Sequence, residues 1–267
     1  MISDVYFPRV NGVSTSIKTF RTKLAEQGHE VTLIVPEYGP YDTSDDLMIR
    51  IPSRYLPMDP EDRLMRRKDI LALTDDFRNK KYDIIHVQTP FLAHYVGVTL
   101  SKRLNIPVVE SYHTYFEEYL YHYLPFLPQS WMRFAARWFT RRQCNKVNAL
   151  VVPSEAMRDV LIEYGVKPPT HIIPTGVEER YLNWQGPGNF RAAHDIAEDR
   201  PLLVHIGRVA HEKNIDFLFH VLAKVRTSIP DVLMVIAGEG PALNHLKSLG
   251  KKLGLADHLL FVGYLDR

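Results

Sequence analysis

The sequence predicts an α/β protein of two domains, each a doubly wound parallel sheet, with the second domain incomplete. Three observations carry this. Short apolar runs alternate with helix-length stretches, which is the pattern of βαβ units. The last three apolar runs, 202–206, 232–237 and 259–262, each end in a glycine: Gly207, Gly238 and Gly263. Between the halves, residues 176–200 are punctuated by Gly176, Gly186, Pro187 and Gly188 and read as a linker.

The first domain is expected over residues 1–175. Ile2 looks like the tail of a first strand, because strands run to about 5–6 residues and only Met1 and Ile2 precede the loop; the N-terminus therefore reads as clipped. The loop Phe7-Pro8-Arg9-Val10-Asn11-Gly12-Val13 leads into a helix over 14–27, with Ser14 as cap and Gly28 as stop. Further strands are expected at 31–35, 84–87, 108–110 and 149–152, and helices at 59–80, 92–104, 130–145 and 154–164. In the second domain, 201–267, the glycine-ended strands alternate with helices at 214–227 and 242–252. Three strands fall short of the roughly 5–6 of a usual sheet, so this domain is expected to be unfinished at Arg267. Open parallel sheets bind ligands at the carboxyl ends of their strands, which makes the glycine-ended strands the place to look.

Composition narrows the function classes. The 267 residues carry a net charge of +2, so nothing global favours nucleic acid and any anion site must be local. A lone Cys144 excludes an internal disulfide framework and suits a reducing compartment. No apolar run reaches the ~18 residues of a spanning helix, and no signal-peptide pattern is present, so a cytoplasmic protein is expected. Walker A, CxxC, HExxH and GxSxG patterns are absent, as is any metal-ligand spacing of His and Asp.

The most informative motif is Gly207-Arg208-Val209-Ala210-His211-Glu212-Lys213-Asn214. A buried strand ends, glycine permits a tight turn, and a helix follows. A helix N-terminus flanked by Arg and Lys favours an anion such as phosphate. Two solvated surface cations are the competing reading, and the strand–turn–helix setting favours the anion site.

These residues resemble the G-R-x-x-x-E-K-[GN] segment of family 4 (group 1) glycosyltransferases, which have the GT-B fold of two Rossmann-like domains. Four other stretches agree, in order: the loop from Phe7 to Val13 is similar to the family's first glycine loop, Tyr112-His113-Thr114-Tyr115-Phe116-Glu117-Glu118-Tyr119 to its H-T-x-[FY]-E-[ED]-Y segment, Ile173-Pro174-Thr175-Gly176-Val177 to its I-P-[NT]-G-[VI] segment, and Ala237-Gly238-Glu239-Gly240-Pro241 to its G-x-G-P turn. The lipid-glycosylating members, of the diacylglycerol glycosyltransferase kind, are the most similar in feel. The resemblance implies a hexosyltransferase of retaining type. It moves glucose or mannose from a UDP- or GDP-linked nucleotide sugar to a hydroxyl of a lipid or glycan, without a bound metal or other cofactor. Arg208 and Lys213 would hold the donor diphosphate, Gly12 would let backbone N–H groups reach it, His113 would sit beside the transferred sugar, and Leu265 would lie near the base. The family's E-x7-E glutamate pair has no counterpart before Arg267. A catalytically incomplete acceptor- or membrane-binding module therefore stands as the alternative reading.

One stretch points to a membrane surface. Trp131, Phe134, Ala135 and Trp138 share a helical face, with Arg133, Arg137 and Arg141 in an adjacent stripe. Aromatic plus basic is the signature of a helix lying on anionic lipid, which would make the protein peripheral on the inner face of the membrane. The competing reading is an amphipathic helix packed on its own domain with its arginines solvated.

Overall fold

Ile2 is the hinge of the first sheet. The computed structural model describes residues 1–39, 45–56, 59–113, 128–176 and 188–265. The chain divides into two units, Met1–Trp184 and Gln185–Arg267. In the first, the elements are α1 (Gly12–Glu26), β1 (Leu33–Pro36), β2 (Met48–Ile51), β3 (Ser53–Leu56), β4 (Asp59–Met65), α2 (Arg67–Ala72), α3 (Thr74–Lys80), β5 (Ile85–Val87), α4 (Leu92–Leu104), β6 (Val108–Ser111), α5 (Gln129–Cys144), β7 (Ala149–Val152), α6 (Glu155–Glu163) and β8 (Thr170–Ile172).

Ile2 bridges in parallel to Ile34 on one side and Val87 on the other. Its N–H donates to the His86 carbonyl at 2.9 Å, and its own carbonyl accepts from Gln88 N–H at 2.9 Å. The parallel order is therefore β2, β1, Ile2, β5, β6, β7, β8. The chain first winds from Ile2 toward β2, then restarts at β5 and winds the other way. The order reverses between Ile2 and β5, which is the switch point where such sheets open a crevice at their carboxyl ends. Strands covered on both faces read as continuous apolar runs, and β1 is buried at all four positions. The helix-covered core gathers Ile34, Val87, Val96, Leu100, Leu150 and Leu161.

Two expectations are corrected. The helix over 59–80 is instead strand β4 followed by the short helices α2 and α3. β4 pairs antiparallel with β3, and the Arg63 guanidinium lies 3.4 Å from the centre of the Tyr55 ring. That partner strand is what decides the conformation, and no local periodicity announces it. The cap of α1 is Asn11, whose Oδ1 accepts the Ser14 N–H at 2.8 Å; Ser14 is buried within the first turn. Ser154 does cap α6, accepting from Met157 N–H at 3.3 Å.

The second unit holds α7 (Phe190–Ala193), β9 (Leu202–Ile206), a 3-10 turn (His211–Lys213), α8 (Ile215–Val225), β10 (Leu233–Ala237), α9 (Leu243–Lys252), a second 3-10 turn (Ala256–His258) and β11 (Leu259–Gly263). Its sheet is parallel, in the order β11, β10, β9. The central β10 is buried throughout. Its core is Phe219, Leu222, Val232, Ile236, Leu246 and Leu255. On β9, Val204 and Ile206 are exposed, Ile206 by 75%.

Candidate functional site

In the first unit, polar groups collect where the strand order reverses. Asp4 follows the Ile2 bridge, Gln88 and Thr89 follow β5, and His113 follows β6. The Asp4 N–H donates to Thr89 Oγ1 and the Thr89 hydroxyl donates to Asp4 Oδ2, both at 2.8 Å. The Asp4 carboxylate also accepts the Ala93 N–H at 3.1 Å, so it faces the start of α4. Burial outweighs these hydrogen bonds and pushes Asp4 up to about 6. His113 Nε2 meets Gln88 Oε1 at 3.2 Å. Burial pulls His113 down to about 4, so the ring is neutral near pH 7. Beneath them His86 bonds Ser111 Oγ at 2.8 Å and is pulled down to about 3 by burial first, with lesser charge effects.

Gly12 opens α1 directly behind the Asn11 cap. A Cβ built there meets no atom within 4 Å, so neither packing nor turn geometry demands a glycine at this position. The rest of the segment that begins at His113, residues 114–119, lies outside the described residues.

In the second unit the strand ends are made of backbone. The Gly207 N–H donates to the Ala237 carbonyl at 2.9 Å, Val209 N–H to Glu239 at 2.9 Å and Gly238 N–H to Gly263 at 2.7 Å. These bonds pin the 207–210 loop against the Gly-Glu-Gly-Pro turn. Gly238 has φ +138 and Gly240 φ +155, and a Cβ on either would overlap a carbonyl oxygen of that loop, from Gly207 and Val209 respectively. Glycine is obligatory at both for backbone contact. Val209 and Ala210 are buried, which leaves Arg208 and Lys213 as the loop's flanking cations. Arg208 pairs with Glu212 at 3.7 Å. Lys213 is close enough to His205 for its charge to add to the burial that lowers that imidazole. The expected helix start at Asn214 is modified: a 3-10 turn holds Lys213, Asn214 takes a left-handed conformation at φ 49, and α8 begins at Ile215. Asn tolerates that conformation where most residues do not. Leu265, just past β11, is exposed.

Helix α5 buries Met132, Ala136, Thr140, Gln143 and Cys144. Burial, with the Glu110 carboxylate nearby, pushes the Cys144 thiol up, so it is a packed thiol rather than a nucleophile. Trp131, Phe134 and Trp138 are left 75%, 72% and 52% exposed. The basic stripe is partly engaged within the unit. Arg137 pairs with Glu163 at 3.2 Å and lies over the Tyr164 ring, and the Arg141 side chain packs against Gly165. Arg142 lies over the Trp138 ring at 5.1 Å. The helix thus packs its Met132, Ala136, Thr140, Gln143 and Cys144 face inward and turns its aromatic face outward, the reverse of a helix packed through its aromatics. Among the described residues no helix is long and apolar enough to cross a membrane, and no group of three His, Cys, Asp or Glu could hold a metal ion.

Sequence reading singled out Arg208, Lys213, Gly12, His113 and Leu265 but passed over Asp4, Gln88 and Thr89. The signal for these was available: each is a polar residue within two positions of an apolar strand's carboxyl end. Only the strand order shows that they converge.

Two Rossmann-like parallel sheets in one chain are the architecture of the GT-B class. Residues 10–181 match the family described as Glycosyltransferase Family 4, and residues 188–267 match Glycosyl transferases group 1; the chain belongs to this family. It is 32% identical to the alpha-monoglucosyldiacylglycerol synthase of Streptococcus pneumoniae, over 99% of this chain and 61% of that protein. It is 23% identical to a GDP-mannose-dependent alpha-mannosyltransferase of Corynebacterium glutamicum, over 93% of this chain and 59% of that protein. The chain thus spans about three fifths of the length of these relatives. Among solved structures, sucrose-phosphate synthase from Thermosynechococcus elongatus superposes with a TM-score of 0.74 at 19% identity, covering 99% of this chain and 70% of that one. HepE of Anabaena in complex with UDP-glucose does so at 0.71 and 16% identity, covering 99% and 69%. At such identities these two likenesses speak for the fold.

Proposed function

We propose that the protein is a retaining hexosyltransferase that moves glucose or mannose from a UDP- or GDP-linked donor to a hydroxyl of a membrane lipid. The observation that carries the reading is the 207–214 loop, which sets Arg208 and Lys213 on a backbone pinned by glycine contacts at a strand end. In this reading Arg208 and Lys213 grip the donor diphosphate. As the bond from the anomeric carbon to the diphosphate oxygen breaks, negative charge grows on that oxygen, and fixed cations stabilise it most at that moment. The acceptor hydroxyl oxygen forms the new bond on the same face of the sugar, and its proton passes to the departing diphosphate. Gly12 supplies backbone N–H groups at the open start of α1, and the room around its Cβ position supports this use. His113, uncharged near neutral pH, hydrogen-bonds the transferred sugar. Leu265 lies beside the base. The reaction calls on no metal or other cofactor.

Two observations support a lipid acceptor: the outward Trp131, Phe134 and Trp138, and relatives whose names include a diacylglycerol glycolipid synthase. On this reading α5 seats the protein on the inner face of the membrane, with Arg133, Arg137 and Arg141 toward anionic headgroups. Each basic residue near such a surface contributes roughly 1 kcal/mol. The test offers radiolabelled UDP-glucose or GDP-mannose with vesicles of diacylglycerol and phosphatidylglycerol. Labelled glycolipid is the expected product, and Trp131→Ser with Trp138→Ser should cut both vesicle sedimentation and transfer. Vesicle binding with no transfer from any nucleotide hexose would leave a membrane-binding module instead.

A further inference from the structure

We propose that Gln88 is a positioning residue for His113: its Oε1 holds the imidazole in the tautomer protonated at Nε2 and leaves Nδ1 as the ring's one acceptor. The inference rests on the reading of His113 as the residue beside the transferred sugar.

Gln88 is placed by the backbone. It is the first residue past β5, at the point where the sheet order reverses, and its N–H is tied to the Ile2 carbonyl at 2.9 Å. Its side chain is nearly sealed, at 1% exposure. Its Oε1 lies 3.2 Å from His113 Nε2. An amide oxygen can only accept, and a neutral imidazole has a single N–H, so this contact requires the proton on Nε2. The ring is neutral near pH 7 because burial pulls it down to about 4, so its tautomer is the remaining variable. The flipped amide would present donors to Nε2 and select the opposite tautomer, so the ring itself reports which orientation holds.

The other end of the amide strengthens the case. Gln88 Nε2 is buried with no hydrogen-bond partner among the described residues. Native folds rarely keep such an orphan donor, and a Met of similar shape would avoid it. Packing alone therefore does not account for an amide here, and the Oε1 contact does. A His113 fixed with Nδ1 as acceptor receives a hydrogen bond from a sugar hydroxyl in every encounter. A ring free to exchange tautomers would present a donor in its place for part of the time.

The experiment labels the protein's histidines with nitrogen-15 and reads their ring tautomers by two-bond proton–nitrogen correlation, with His113→Gln assigning the signal. Wild type should show His113 protonated at Nε2. Gln88→Glu keeps an acceptor in place and should keep that tautomer while raising the pH at which His113 titrates. Gln88→Met should give mixed tautomers, with kcat down about tenfold to a hundredfold and donor KM nearly unchanged, the behaviour of a misoriented group. A wild-type His113 protonated at Nδ1 overturns the proposal even if Gln88→Met fails to fold. So does a folded Gln88→Met with wild-type tautomer and kcat. If wild type transfers no sugar from any donor, the functional reading falls, and the ring spectrum still decides the tautomer.

Discussion

The two units place polar chemistry at the same topological position, the carboxyl ends of parallel strands, but build it from opposite materials. The first uses buried side chains: His113, neutral near pH 7, against Gln88, and the Asp4 carboxylate against Thr89, raised to about 6 yet still largely ionised at neutral pH. The second uses glycine backbone and accessible cations, Arg208 and Lys213 on a loop that Gly238 and Gly240 let approach. A desolvated neutral pair such as His113 and Gln88 suits uncharged hydroxyls, because burying an unpaired charge beside it would be costly. A cation-flanked loop suits a diphosphate.

Breaking the second unit's backbone should have the largest effect. Gly238→Ala drives a Cβ into the Gly207 carbonyl oxygen at φ +138, and it should destabilise by about 4 kcal/mol or more, the range of severe steric mechanisms. Thermal melting reads this, and a variant within about 0.5 kcal/mol of wild type would show that the loop yields.

The first unit's neutral groups should make stability depend on acid. His86 and His113 stay neutral in the fold down to about 3 and about 4, while in the unfolded chain they take up protons near pH 6.5. The unfolded state therefore binds more protons across that window, and stability falls as pH falls. Asp4 opposes this. It is protonated in the fold up to about 6 but only near 3.8 when unfolded, so its contribution to stability grows as pH falls through that range. Asp4→Asn should therefore steepen the acid loss between about pH 6 and 4 by up to about 1.4 kcal/mol per pH unit. Urea unfolding across this range measures it, and a shallower slope would contradict the sign. Replacing the Asn11 cap should matter least: Asn11→Ala costs about 1 kcal/mol in a denaturant titration.

How much the sequence disclosed differs between the two units for a physical reason. The second unit's site is local: Gly207 to Asn214 and Gly238 to Pro241 are contiguous motifs whose glycines announce close backbone approach. The first unit's site is assembled from residues about 85 positions apart, as Asp4 and Thr89 are, and only the parallel order about Ile2 joins them. The same limit hid strand β4, which needs β3 as partner, and the contacts of Arg137 and Arg141, which depend on α6 and the residues just after it. That Trp131, Phe134 and Trp138 share a face was legible from their spacing, but whether it turned inward or outward was not; the structure buries the opposite face, with Met132, Ala136, Thr140, Gln143 and Cys144.

Calorimetric titration with UDP-glucose and GDP-mannose tests the division most directly. The account predicts saturable binding of at least one of them. Affinity should fall about a hundredfold or more in Arg208→Ala/Lys213→Ala, from the loss of two charge-assisted contacts worth roughly 1.5–3 kcal/mol each, and by no more than about tenfold in His113→Ala, which loses one neutral hydrogen bond of about 1 kcal/mol. No binding of any nucleotide sugar, or equal affinity in the double variant, would contradict it.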